Sequence, residues 1–227
     1  MADFPFDTIG FDLDGTLVDT APDLASAVNH ALVEAGRERV SPETTRELIG
    51  GGTRAMLTRA FERTGGRVAE DAFDRAYDAL LAYYESNTSE HSAPFPGVLA
   101  SLDSLSARGC NLVVVTNKIE RYARKLLDEL DMTRHFAAIL GGDTLGADRA
   151  KPKRDMIDEA KSRCGGTRFA MVGDASFDVR AAHAAEVPCV IYRLGYHDMP
   201  VEALGADAVI DHFDELVGAL EGLAPPR

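Results

Sequence analysis

Basic side chains are scarce in this 227-residue chain: 24 lysines and arginines stand against 37 aspartates and glutamates, for a formal charge of -13. That balance argues against nucleic acid or an anionic membrane surface as a partner, since both are held by surplus positive charge. An anionic metabolite stays compatible, provided a metal ion and a few cations are gathered locally. Cysteine is equally sparse. Cys110, Cys164 and Cys189 are odd in number and show neither a CxxC pair nor metal-ligand spacing, which argues against a disulfide framework and for buried reduced thiols. There is no basic-then-apolar leader and no long apolar span, so a cytoplasmic protein is expected.

What is present is a recurrence of short apolar runs with strand character, at 9–13, 112–116, 137–140, 169–173, 189–192 and 208–210. Helical segments separate most of them, and strands alternating with helices imply parallel pairing in a doubly wound α/β sheet. Residues 20–86 break the rhythm. Segments 21–35, 42–49, 53–64 and 70–84 each carry apolar residues three and four apart, the period of helices with one buried face. The expected architecture is therefore a Rossmann-like core, 1–19 and 88–227, carrying an inserted α-helical cap, 20–87. The return link 87–96 is rich in Ser, Thr and Pro, as a hinge would be.

The first apolar run ends in Asp12-Leu13-Asp14-Gly15-Thr16. Alternation sends Asp12 and Asp14 to one side and Leu13 to the core, and Gly15 lets the backbone turn tightly. Two carboxylates held together call for a cation or a shared proton. Three later strand ends supply matching groups. Thr116 and Asn117 follow 112–115 and read as a helix cap or as phosphate ligands. Lys151 precedes Pro152 and is expected at a helix start, as a solvated charge or as a clamp on phosphate oxygens and a carboxylate. Asp174 closes the run 169–173, and Asp178 lies in the first turn of the next helix. As an isolated pair these acids complement the helix dipole; beside Asp12 and Asp14 they form a hard-oxygen pocket suited to Mg2+. Ligands of open parallel sheets bind at the carboxyl ends of strands, where all these groups fall. The set reads as phosphoryl transfer, with Asp12 the nucleophile and Asp14 the general acid and base. Lys151 and Thr116 would stabilise the transferring charge.

At these residues the chain resembles the haloacid dehalogenase superfamily: DxDGT at 12–16, Thr116 after a strand, Lys151 before a proline, and GDxxxD at 173–178 follow its four motifs in order. The segments 11–20, 116–118, 141–143 and 194–196 look most like phosphoglycolate phosphatases and their near relatives. The resemblance implies a Mg2+-dependent phosphomonoesterase with a phosphoaspartyl intermediate and a closing helical cap. It also implies metal ligation by Asp12 and Asp174 through side chains, by Asp14 through its backbone carbonyl, with Asp178 supporting the shell. Gly15, Thr116, Asn117 and Lys151 would lie against phosphate. Two departures bear on substrate preference rather than reaction: Ala150 stands where relatives often carry a second lysine, and Ala175 where a serine is usual.

Within the cap, Gly50-Gly51-Gly52-Thr53-Arg54 reads either as a helix C-cap followed by an N-cap at Thr53 or as a leaving-group site. In the second case Gly51 and Gly52 present backbone and Arg54 meets a carboxylate. No lysine precedes Lys118, so the cap has none; by the resemblance this weighs against a Schiff-base hydrolase and against a β-phosphoglucomutase-like sugar-phosphate mutase, the second expectation. A phosphorylated signalling receiver is disfavoured by the helical insertion and the length. The expected substrate is a small phosphorylated metabolite, 2-phosphoglycolate or a relative, and the expected assembly a monomer or homodimer. None of the six histidines is assigned to the site.

Overall fold

The computed structural model describes residues 4–223. In chain order the elements are β1 (Thr8–Phe11), β2 (Val18–Asp19), α1 (Ala21–Glu34), α2 (Pro42–Leu48), α3 (Thr53–Arg63), α4 (Glu70–Ser86) and β3 (Ala93–Pro94). They continue with α5 (Val98–Ala107), β4 (Asn111–Val115), α6 (Glu120–Glu129), β5 (Ala138–Leu140) and α7 (Asp155–Cys164). The last are β6 (Phe169–Gly173), α8 (Ser176–Ala184), β7 (Cys189–Tyr192), β8 (Ala208–Ile210) and α9 (Leu216–Gly222).

Six strands form one sheet in the order β5-β4-β1-β6-β7-β8, and every pairing in it is parallel. Its inner strands β1, β6 and β7 are buried on both faces, as those of parallel sheets are. Alternate residues feed two separate cores. Ile9, Phe11, Val114 and Val172 pack with α5, α6 and α9 on one side. Val113, Val115, Met171 and Ile191 pack with α7 and α8 on the other. β1 sits at the centre, between β4 and β6, so its carboxyl end opens where the two halves of the sheet diverge.

The helical cap, α1–α4, leaves the core after β1 and has a core of its own, in which Leu24, Val28, Leu48, Leu57, Phe61 and Leu80 are buried together. It rests on α6: Tyr84 of α4 meets Tyr122 edge to face at 5.6 Å, and the Tyr122 hydroxyl donates to Leu81 O at 3.3 Å. The two crossings between core and cap pair with each other as the antiparallel ribbon β2–β3, Val18 opposite Pro94 and Asp19 opposite Ala93. The buried Asp23 carboxylate accepts the Ser92 N–H at 2.8 Å, the Ser92 hydroxyl at 2.6 Å and the His91 N–H at 3.1 Å. The stretch expected as an open hinge is thus partly a paired strand, with a carboxylate clipped to it. Among the described residues no helix is long and apolar enough to cross a membrane. Cys110 and Cys189 are buried, Cys164 is half-buried, and none is in a disulfide.

Candidate active site

β1 ends at Phe11, two residues earlier than the apolar run suggests. Asp12 N–H still donates to Val172 O at 2.9 Å, but the next amide, Leu13 N–H, turns to the Asp12 carboxylate at 2.7 Å. A reverse turn follows, in which Gly15 takes φ +83° and a Cβ there would lie 2.5 Å from Asp174 Oδ2. Only glycine meets both conditions. Leu13 is fully buried, while Asp12 and Asp14 both face a cleft between sheet and cap.

The two acids have different companions. Asp12 Oδ2 lies 2.9 Å from Lys151 Nζ, and the same ammonium lies 2.5 Å from Asp178 Oδ1. Lys151 and Asp178 side chains have no exposure at all. Asp178 Oδ2 accepts the N–H groups of Asp174 and Ala175 at 3.1 Å each, so this carboxylate fastens the start of α8 beneath β6. Gly173 makes room for it, since a Cβ there would sit 2.2 Å from Asp178 Cγ. Asp174 accepts the Thr16 hydroxyl at 2.8 Å and the Tyr196 N–H at 2.6 Å and has no cation beside it among the described residues.

Carboxylate oxygens of Asp12, Asp174 and Asp178 lie within 4.8 Å of one another. Burial, reinforced by Asp178 and Asp12, pushes the Asp174 carboxyl well above the usual range. Burial also raises Asp12 to about 6, against the opposing pull of Lys151. Three clustered acids with one lysine leave excess negative charge in a desolvated place, and an oxygen-preferring divalent cation such as Mg2+ fits that donor set. The Asp14 carboxylate does not belong to this cluster. It accepts from Lys118 Nζ at 2.9 Å and from the Thr20 hydroxyl at 2.8 Å, on the cap side of the cleft.

The remaining expected residues divide. Thr116 and Asn117 line the cleft, as do Gly51 and Gly52. They stand in a loop, since α6 starts only at Glu120; the Thr116 Oγ1 accepts the Lys118 N–H at 3.2 Å, and Asn117 Nδ2 donates to Lys151 O at 3.2 Å. Lys151 is not at a helix start, because α7 begins at Asp155; it is buried beneath the acids instead. Arg54 is not brought to the cleft. Its guanidinium pairs with Asp74 at 2.6 Å, half-exposed, and lies over the rings of Tyr77 and Phe73. Those aromatic faces and the acid of α4 hold it on the outside of the cap. The arginine nearer the glycine loop is Arg59, whose guanidinium donates to the carbonyls of Leu48 and Gly50.

Sequence reasoning gave no role to Lys118, Thr16, Thr20 or the Tyr196 amide. Thr16 and Thr20 flank the first motif, and hydroxyls so close to two acids were a usable signal. Lys118 carried none: a lysine in a loop after a strand reads as solvated, and its burial comes from Tyr84, whose ring centroid is 4.6 Å from its Nζ.

Comparison with known proteins agrees with this geometry. The chain is 42% identical to a phosphoglycolate phosphatase of Agrobacterium fabrum (strain C58 / ATCC 33970), over 92% of this chain and 90% of that protein. It is 39% identical to a phosphoglycolate phosphatase of Caulobacter vibrioides, over 91% and 87% respectively. The crystal structure of a predicted phosphoglycolate phosphatase from Haemophilus somnus 129pt superposes with a TM-score of 0.88 at 30% identity, covering 94% of this chain and 97% of that one. A family model described as haloacid dehalogenase-like hydrolase matches residues 9–192, from the central strand to the end of β7. A match of that extent, joined to relatives this similar over nearly the whole chain, settles the family: the chain belongs to the haloacid dehalogenase-like hydrolases.

Proposed function

We propose that this protein is a Mg2+-dependent phosphomonoesterase that hydrolyses a small phosphorylated metabolite, 2-phosphoglycolate or a close relative. The observation that carries the reading is the division of labour between two acids of one motif: Asp12 belongs to the cation-binding cluster, and Asp14 stands apart beside the cap. Asp12, Asp174 and Asp178 would hold the metal, together with the backbone of Asp14. When bound, the metal neutralises charge on the phosphoryl oxygens and on Asp12 so that the two anions can meet.

The chain's own residues do the rest. An oxygen of Asp12 attacks phosphorus, and the P–O bond to the leaving group breaks as Asp14 gives its proton to the departing alkoxide. Asp14, now ionised, takes a proton from water, which attacks the phosphoaspartyl phosphorus and releases inorganic phosphate with Asp12 restored. Lys151 holds Asp12 in line and offsets charge at the transferring group, with Thr116, Asn117 and Gly15 against its oxygens. The reading includes a core of 1–19 and 88–227, a cap of 20–87 and a cytoplasmic setting. The names of the relatives support 2-phosphoglycolate as substrate, and steady turnover to inorganic phosphate is what separates a phosphatase from a mutase that returns the group to a sugar.

The test is inorganic phosphate release over a panel of phosphomonoesters, with Mg2+ or with EDTA, and Asp12→Asn as the blank. Mg2+-dependent release led by 2-phosphoglycolate and absent in Asp12→Asn is expected. Undiminished release by Asp12→Asn would overturn the mechanism, because an amide is a poor nucleophile.

A further inference from the structure

The leaving group has to be recognised by something in the cleft, and the cleft offers one cation. Among the described residues that line it, Lys118 is the only lysine, arginine or histidine. Its competitors are committed elsewhere. Lys151 lies beneath the cleft between two carboxylates, Arg54 is paired with Asp74 outside the cleft, and Arg59 is spent on backbone carbonyls.

Lys118 is buried, its side chain 4% exposed, yet it is poorly satisfied. Its ammonium has three donors. Among the described residues Asp14 is the one carboxylate it meets, at 2.9 Å, and that oxygen is shared with the Thr20 hydroxyl. The face of Tyr84 covers another side at 4.6 Å, an aromatic contact that tolerates a cation without neutralising it. Lys151 meets two carboxylates where Lys118 meets one, so Lys118 has room for a second anion, and it lines the cavity in which the substrate would lie.

We propose that Lys118 is the specificity-determining residue, binding a carboxylate on the leaving group and so selecting phosphate esters with an anionic leaving group over those with an uncharged one. The inference rests on the phosphomonoesterase reading above and names the substrate class of that same site. Chemistry and geometry agree. In 2-phosphoglycolate one methylene separates the ester oxygen from the carboxylate, so the group that protonates the ester oxygen and the group that holds the carboxylate must be immediate neighbours. Asp14 and Lys118 are such neighbours. Tyr84 belongs to α4 of the cap, so the carboxylate is gripped only with the cap seated against α6.

The experiment compares 2-phosphoglycolate with 2-hydroxyethyl phosphate, which carries an uncharged hydroxymethyl group where the first has the carboxylate. For Lys118→Met, kcat/KM is expected to fall about ten- to a hundredfold further for 2-phosphoglycolate than for the ester with the uncharged leaving group, the worth of one hydrogen bond between charged groups. Equal losses on the two esters would overturn the proposal and leave Lys118 acting through Asp14 alone. Should Lys118→Met melt below the assay temperature, Lys118→Gln, which can still donate to Asp14, makes the same comparison. Phosphate release by the wild type from neither ester would bring down the phosphatase reading separately. Calorimetric binding of 2-phosphoglycolate to wild type and to Lys118→Met would then still decide the proposal, a difference under about threefold counting against it.

Discussion

Asp12 and Asp14 are the same residue type two positions apart, yet their surroundings assign them different chemistry. Asp12 sits among Lys151, Asp174 and Asp178, a donor set that a divalent cation fits. Asp14 faces Lys118 and Thr20, outside the acid cluster and toward the cap. Asp14→Asn is expected to reduce turnover by about two to four decades, the ordinary worth of general acid–base help. The same substitution should leave Mg2+ affinity within about threefold, since the Asp14 side chain lies outside the cluster of Asp12, Asp174 and Asp178. Both are checked by steady-state phosphate release and by Mg2+ titration of the variant. A loss of turnover below tenfold would point to another acid.

At the scale of elements, α3 and the glycine loop before it act as one piece. Arg59 reaches back from α3 to the carbonyls of Leu48 and Gly50, and burial makes its guanidinium easier to deprotonate than usual. Gly50 and Gly51 pass against the Phe177 ring of α8, with positive φ at both. Arg59→Met removes the strap and is expected to raise KM by about tenfold or less while kcat changes little, because it frees the loop without touching the acids; a fall confined to kcat would contradict this. The elements were unevenly legible in the sequence. Strands β6 and β7 follow from their apolar runs residue for residue, because a strand buried on both faces is written in consecutive apolar side chains, and the edge strand β8 follows as closely although its Val209 is exposed. The four cap helices follow from their three-and-four spacing to within about two residues. The ribbon β2–β3 does not, since two residues per strand cannot display a period. Lys118, Lys151 and Arg54 show the same limit at the site. Which lysine is buried and which arginine stays outside is decided by Tyr84, Asp178 and Asp74, partners 34, 27 and 20 residues away in the chain.

For the whole molecule, the cost of gathering acids shows in the linkage of stability to pH. The Asp12 carboxyl is raised from 3.8 to about 6 when folded, so between those values the folded state binds more protons than the unfolded one. Its contribution to stability is fully present below the lower value and is lost as pH rises through the upper. A divalent cation binds the ionised form and should restore what is lost. The increase in Tm on adding Mg2+ is therefore expected to be larger near pH 7.5 than near pH 5, measured by thermal denaturation with and without EDTA; a rise independent of pH would place the cation elsewhere.

The ribbon that joins core to cap has a further consequence. Asp19 and Ala93 stand opposite each other, so the chain departs from the sheet and returns to it through a single doorway, and the strand register on either side is indifferent to what hangs beyond. The helical insertion hangs from the sheet by one paired stalk, so that strain within α1–α4 reaches Asp12 and Lys151 through that stalk and through the seat on α6.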